Sequence, residues 1–263
     1  MNVTLASTWY PRGETNRLQL HINELRATYA QIIIITPPEK NLSKRGLAEV
    51  SELNRLPGIL VRQPDNWSGG RYAALQASLE TNSSYIQYAD LDRLLRWVET
   101  RPDEWLHTVD KIMSSDSLII GRTPFAYQTH PAALVRTEAI SNQVVSHFLG
   151  RFMDVSAGSK GFSREAADYI IAHTIPGRAL GTDAEWPILL HQTGFQVDYI
   201  EVDGLDWESA DRYKDHAAKQ EDQLQAAIQY DADPRNWEHR VEIAREIVES
   251  ALSIVARQTW QRE

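Results

Sequence analysis

Four consecutive isoleucines, Ile32 to Ile35, run into Thr36-Pro37-Pro38. A β-branched run with no polar alternation reads as a strand covered on both faces. Its flanks agree. Residues 17–29 place Leu18, Ile22, Leu25 and Tyr29 on one helical face, and residues 47–56 read as a second helix. Residues 3–7, 58–61 and 85–89 read as strands, and the alanine-rich stretch 71–80 as a helix. Strand and helix thus alternate through residue 89, which predicts an α/β fold with a mostly parallel central sheet flanked by helices. Ligands of such sheets bind beyond the carboxyl ends of the strands.

The second half is less regular. Residues 105–113, 132–148 and 163–172 read as helices, 117–122 and 196–202 as strands, and 151–161 as a loop bearing glycine and serine. Thr182-Asp183-Ala184-Glu185 fits a capping box ahead of a helix ending near Gly194. Asp233-Pro234 marks the start of a long amphipathic helix, with Trp237, Val241, Ala244, Val248, Ala251 and Val255 as its apolar stripe. Two units follow: a catalytic domain over residues 1–210 and a C-terminal helical extension over 211–263. The extension packs on the domain or forms a homodimer contact.

Composition narrows the chemistry. The 263 residues include no cysteine, which excludes disulfides and thiolate metal sites and points to the reducing cytoplasm. Any metal must be held by carboxylate, imidazole or water. The formal charge of −9 repels a phosphate backbone, so nucleic acid is not an expected partner. No apolar run approaches the roughly 18 residues that a spanning helix requires. The N-terminus lacks the basic start and apolar core of a secretion signal.

Asp90-Leu91-Asp92 closes the strand at 85–89. Two carboxylates there can share a magnesium or manganese ion, which takes one or two protein oxygens and completes its shell from phosphates and water. A solvated turn, or ion pairs with Arg93 or Arg96, is the competing reading. Asp231-Ala232-Asp233 repeats the pattern at the start of the last helix. Ser68-Gly69-Gly70-Arg71 joins a close-approach turn to a helix N-terminus that can face phosphate, or is a turn needing glycine for its dihedrals. Asp183 or Glu185 can serve as the base that deprotonates an acceptor hydroxyl. Both also suit a helix start, Glu185 as the capping partner of Thr182. His130, His191 and His216 are candidate third metal ligands, His216 from a polar loop. Of the tryptophans at 9, 67, 97, 105, 186 and 207, only Trp67 and Trp207 lie in expected loops where a ring can meet a sugar.

These blocks, in this order, resemble the GT-A fold glycosyltransferases of family 2. The dolichol-phosphate-mannose-synthase-like and mannosylglycerate-synthase-like enzymes are the nearest in pattern. Gly69 to Leu75 and residues 85–92 resemble the family's glycine loop, helix and Asp-x-Asp strand. Residues 154–166 resemble its acceptor-side loop, with Ser156, Gly158, Ser159 and Lys160, and residues 181–186 its later helix start.

The resemblance covers roughly residues 1–205. It implies a metal-dependent transferase acting on a nucleotide-diphosphate sugar and a small or soluble acceptor. It places Mg2+ or Mn2+ at Asp90 and Asp92, with His216 as a further ligand. It assigns the donor to Ser7, Thr8, Tyr10, Arg12, Glu39, Gly69, Gly70, Arg71 and Asp90, although the place of the family's nucleoside-binding acid after the second strand reads Thr36-Pro37-Pro38-Glu39 here, with Glu39 as the candidate substitute. A sugar-phosphate nucleotidyltransferase would carry a glycine-rich basic loop at 7–12, and that stretch holds one basic residue and no glycine. A non-catalytic sugar-nucleotide binder on the same fold is the other alternative.

Overall fold

The computed structural model describes residues 2–177 and 180–260, and of residues 258–260 the backbone alone. Its strands are β1 (Val3–Thr8), β2 (Gln31–Ile35), β3 (Ile59–Arg62), β4 (Tyr85–Asp90), β5 (Ser117–Arg122), β6 (Ser159–Ser163) and β7 (Val197–Val202). They form one sheet in the order β3-β2-β1-β4-β6-β5-β7. Strands β1 to β4 are mutually parallel, β5 and β7 are parallel to each other, and β6 runs antiparallel between β4 and β5. The helices are α1 (Thr15–Thr28), α2 (Lys44–Leu53), α3 (Gly70–Ser78), α4 (Leu91–Thr100), α5 (Pro102–Ile112), α6 (Pro124–Gln128), α7 (Ala132–Leu149), α8 (Arg164–His173), α9 (Thr182–Gln192), α10 (Gln220–Asp231) and α11 (Pro234–Trp260). Among the described residues no helix is long and apolar enough to cross a membrane.

The isoleucine run explains the layers. Successive strand side chains point to opposite faces. Ile33 and Ile35 enter a core with Leu75, Ile170, Trp186 and Ile247. Ile32 and Ile34 enter the core on the other face, with Leu18, Leu25, Leu53 and Trp105. All four isoleucines are at most 1% exposed. Each contributes roughly 1.5–3 kcal/mol by burial.

Several segments depart from the sequence reading. The expected loop at 151–161 ends in β6, whose sequence Ser-Lys-Gly-Phe-Ser has no apolar alternation. Its Gly161 is required by close packing, since a Cβ there would lie 2.5 Å from Ile112. Asp90 leads straight into α4, which the reading placed in no element. Helix α10 was likewise unassigned.

The last helix buries Ile243, Ala244, Ile247, Ala251 and Ile254 against α7 and α9, whereas Val241 is 56% exposed. Two apolar rows overlap on this helix, and tertiary packing chose the isoleucine row. That stripe is covered within the chain.

The capping box does not form. Helix α9 has Gly181 as its N-cap, which puts Thr182 one position too far into the helix. Glu246 of α11 accepts the amides of Leu180 and Gly181 instead, at 3.0 and 3.1 Å. Glu185 turns to Arg257 at 3.1 Å.

Candidate functional site

Strands β1 and β4 end level, with Thr8 opposite Asp90. A cleft of about 550 Å³ opens beyond these ends. One wall carries Thr8, Tyr10, Arg12, Trp67, Gly70, Arg71, Asp90 and Asp92. The rest of the lining comes from α7, from residues 207–212 after β7, from α10 and from α11. The position is the one expected of a parallel sheet.

Asp90 is fully partnered. Its Oδ1 accepts from the hydroxyls of Tyr88 and Thr8, the latter at 3.1 Å. Its Oδ2 accepts from Arg71 Nη2 at 3.1 Å. Burial pushes this carboxyl up, but Arg71, Arg93 and the hydroxyl hydrogen bonds outweigh it and hold it below its usual range. Of the two arginines beside the motif, Arg93 approaches Asp90 at 4.0 Å, while Arg96 turns away to Asp206 and Asp211.

Asp92 sits in the first turn of α4, where the helix end favours negative charge. Arg12 stands 3.7 Å away. Burial and the neighbouring Glu208 push the Asp92 carboxyl up to about 7. Burial raises Glu208 too, but Arg93 more than reverses it and keeps that carboxyl below its usual range. Glu208 Oε2 is buried without a hydrogen-bond partner, with Arg93 Nε 3.5 Å away.

Among the described residues no group of three or more histidine or acidic side chains is arranged to hold a metal ion. A divalent cation that draws ligands from a diphosphate needs only one or two protein carboxylates. Asp92 and Glu208 fit that demand: two crowded carboxylates, one pushed up by burial and its neighbour, and one with an oxygen that has no hydrogen-bond partner. Asp90, saturated by its own partners, fits it less well.

Arg71 is the hub between two elements. It donates to Asp90 and, from Nη1, to Asp183 Oδ1 at 2.7 Å. Lys160 Nζ donates to the same Asp183 oxygen at 2.5 Å and to Val155 O at 3.0 Å. Burial lowers the Lys160 ammonium, opposed by Asp183. Asp183 lines the cleft but spends one oxygen on two cations. Glu185 lies outside the cleft.

Several expected donor residues meet in the cleft: Thr8, Tyr10, Arg12, Gly70, Arg71 and Asp90. Ser7 does not, because its hydroxyl is buried against Ala89 O at 2.6 Å. Glu39 is exposed on the turn Glu39–Asn41 and is not part of the lining. Gly69 sits behind, near Pro176. Neither glycine of the pair has a positive φ, so dihedral freedom is not their reason. A Cβ on Gly70 would meet the Trp67 ring at 3.2 Å.

On the acceptor-side loop, Ser156 lines the cleft, while Ser159 and Lys160 lie on β6. Gly158, with φ of 71°, passes Asp90 so closely that a Cβ would lie 2.5 Å from Oδ2. His216 and His191 are exposed and absent from the lining. His130 is buried, with Nδ1 2.9 Å from Ala126 O, and burial lowers it to about 3. The histidine that does line the cleft is His239 of α11. Asp231 caps α7 by accepting the amides of Ala132 and Ala133 at 2.7 and 2.9 Å, far from any metal role.

Trp67 and Trp207 both line the cleft, and Trp9, Trp97, Trp105 and Trp186 are core. The sequence reading missed Arg93, Glu138, Glu208, Arg212, Tyr230 and Arg240. Arg93 adjoins the Asp-x-Asp motif and figures in the sequence reading only as its ion-pair partner, whereas the others carry no local motif, because the segment after β7 and the packing of α7, α10 and α11 bring them together. Glu138 accepts from Arg240 at 2.5 Å and from Arg122 at 2.6 Å, so α11 is tied to the sheet beside the cleft.

No protein-family model and no curated protein matches the chain. Among solved structures it resembles glucosyl-3-phosphoglycerate synthase from Mycobacterium tuberculosis, in complex with Mn2+, UDP-glucose and phosphoglyceric acid. The TM-score is 0.53 at 12% identity, over 96% of this chain and 79% of that one. The same enzyme with Mn2+, UDP and phosphoglyceric acid gives 0.51 at 12% identity, over 91% and 78%. At that identity the likeness speaks to architecture, and the architecture is the GT-A fold.

Proposed function

We propose that this chain is a divalent-metal-dependent glycosyltransferase that moves a sugar from a nucleotide-diphosphate donor to a small soluble acceptor carrying an anionic group. One observation carries the reading: Arg12, Arg71, Arg93, Asp92 and Glu208 converge at the carboxyl ends of β1 and β4. A diphosphate leaving group gathers negative charge as the bond to the sugar breaks, and preorganised cations stabilise it. Arg71, held on both sides by Asp90 and Asp183, suits that task without rearrangement. A divalent cation, when bound, would neutralise the leaving diphosphate, and Asp92 with Glu208 would hold it. Asp183 then positions Arg71 and Lys160, a role that its two cationic partners favour over proton abstraction.

Tyr10 and Arg12 flank the nucleoside end of the cleft. Arg212, Asn236, His239 and Arg240, from the segment after β7 and from α11, offer an anion-attracting wall for the acceptor. Phosphoglyceric acid in the M. tuberculosis enzyme supports an acceptor of that charge. Since α11 furnishes part of this wall, residues 211–263 belong to the working enzyme. The lack of cysteine supports a cytoplasmic setting.

Thermal shifts against UDP, GDP, CDP, ADP and their sugars, with and without Mn2+, test the reading. The expected result is a shift that requires one nucleotide and the metal together and disappears in Asp92→Asn. No shift with any of them would refute it. A shift with no sugar release on any acceptor would favour a binding protein.

A further inference from the structure

The segment between β7 and α10 carries Trp207, Glu208 and Arg212 to the cleft. It has little regular structure of its own, yet half-buried side chains of α4 and α5 pin it at both ends. Glu104 accepts the amides of Asp203 and Gly204, each at 2.8 Å. Glu99 accepts the amide of Ala217 at 2.6 Å.

Between these pins stands Arg96, 3% exposed. Its Nε and Nη2 grip Asp206 at 2.5 and 2.8 Å. Its Nη1 reaches Asp211 at 2.8 Å, and Nη2 also donates to Ala218 O at 3.2 Å. Asp206 and Asp211 bracket the turn Glu208–Asp211. Arg96 lies on α4, the helix whose first turn holds Asp92. One guanidinium therefore ties both sides of the Glu208 turn to the element that carries Asp92.

We infer that Arg96 is a positioning residue, which sets Glu208 against Asp92 so that the two can share a divalent cation. The inference rests on the reading of Glu208 and Asp92 as metal-holding carboxylates. A planar fork that grips Asp206 at two points fixes direction as well as distance. A lysine supplies the charge but not the fork. Outer partners of metal ligands typically affect metal affinity about 10–100-fold. Arg17 provides the contrast: it reaches Asp211 and Glu99 in the same buried network but does not touch Asp206.

The test is Mn2+ binding to the full-length protein with whichever of UDP, GDP, CDP or ADP gives the thermal shift held at saturation, followed by the electron paramagnetic resonance of Mn2+ against a protein-free nucleotide control, with unfolding midpoints measured in EDTA. Glu208→Gln is expected to weaken Mn2+ binding about tenfold or more, and Arg96→Lys and Asp206→Asn to weaken it about tenfold. Arg17→Lys is expected to lower the midpoint in EDTA while binding Mn2+ as the wild type does. Wild-type Mn2+ affinity in Arg96→Lys and Asp206→Asn, beside a weakened Glu208→Gln, would overturn the positioning role and leave the ligand reading standing. Unchanged affinity in Glu208→Gln would remove the ligand reading and the inference with it. If Arg96→Lys does not fold, Asp206→Asn decides, since it leaves Arg96 its contacts to Asp211 and Ala218.

Discussion

Arg71 Nη1 lies 2.7 Å from Asp183 Oδ1, joining the first turn of α3 to the first turn of α9 across 112 residues. Lys160 reaches the same oxygen. One carboxylate thus balances two buried cations, and removing its charge leaves Lys160 without a carboxylate partner and Arg71 with Asp90 alone. Breaking a buried pair from one side costs about 3–5 kcal/mol. Asp183→Asn keeps an acceptor oxygen, so about 3 kcal/mol is expected in urea unfolding without ligand. A variant that unfolds like the wild type but has lost transfer would assign Asp183 to proton abstraction instead.

Gly158 offers a second handle on the same cluster. Its φ of 71° disfavours any side chain, and a Cβ would press on Asp90 Oδ2 at 2.5 Å and Arg93 Nη1 at 3.0 Å. Asp90 cannot easily yield, because Tyr88, Thr8 and Arg71 hold it. Gly158→Ala should cost about 1–3 kcal/mol of stability. It should also weaken nucleotide binding more than Ala157→Gly, a change one residue away with no such clash. Equal nucleotide affinity in the two variants would show that Asp90 tolerates the push.

The half of the molecule with regular periodicity was legible beforehand. Ile32 to Ile35 announced a strand covered on both faces, and Tyr85–Asp90 led to the cleft through its position at a strand end. Helix α4 escaped notice because Asp90-Leu91-Asp92 drew attention as a loop, although Leu91, Leu94, Leu95 and Val98 repeat at helical spacing and are buried. Strand β6 was not legible at all, since Ser-Lys-Gly-Phe-Ser owes its conformation to β4 and β5 on either side. The part of the cleft lined by α7 and α11 follows the same logic. Arg240 and Glu138 are separated by 102 residues and meet only because α11 lies on α7. Such encounters leave no local pattern.

Arg122 shows how far the buried charges extend from the cleft. It is 1% exposed, grips Asp154 through Nε at 2.8 Å and Nη2 at 2.9 Å, and donates to Glu138 at 2.6 Å. Its guanidinium stacks on Tyr127 at 4.2 Å. A lysine cannot reproduce the fork or the stacking. Arg122→Lys should destabilise by about 3 kcal/mol in chemical denaturation. It should also loosen Arg240 through Glu138, so hydrogen exchange in α11 should quicken around residue 240. Exchange unchanged there would mean that α7 and α9 alone hold the helix.

Asp92 and Asp154 give the metal-free protein opposing responses to pH. Burial and Glu208 raise Asp92 to about 7, above its ordinary 3.8. Its contribution to stability is complete below about pH 4, where both states hold the proton, and is lost as pH rises to about 7. Burial would raise Asp154 as well, but Arg122 overrides it and holds that carboxyl far below its usual range. The Asp154 contribution is present above about pH 4 and lost on further acidification.

The two can be separated by substitution. Asp92→Asn removes the first response together with the push between Asp92 and Glu208, and the titrating groups away from this pair cancel when variant and wild type are compared. The wild type should therefore lose stability relative to Asp92→Asn between pH 4 and 7 in EDTA, and at pH 8 the variant should be the more stable. Mn2+ with the bound nucleotide should reverse that order, because a cation then takes the place of the proton. Parallel pH profiles of the two proteins in EDTA would show that Asp92 titrates as an ordinary carboxylate and that Glu208 does not press on it.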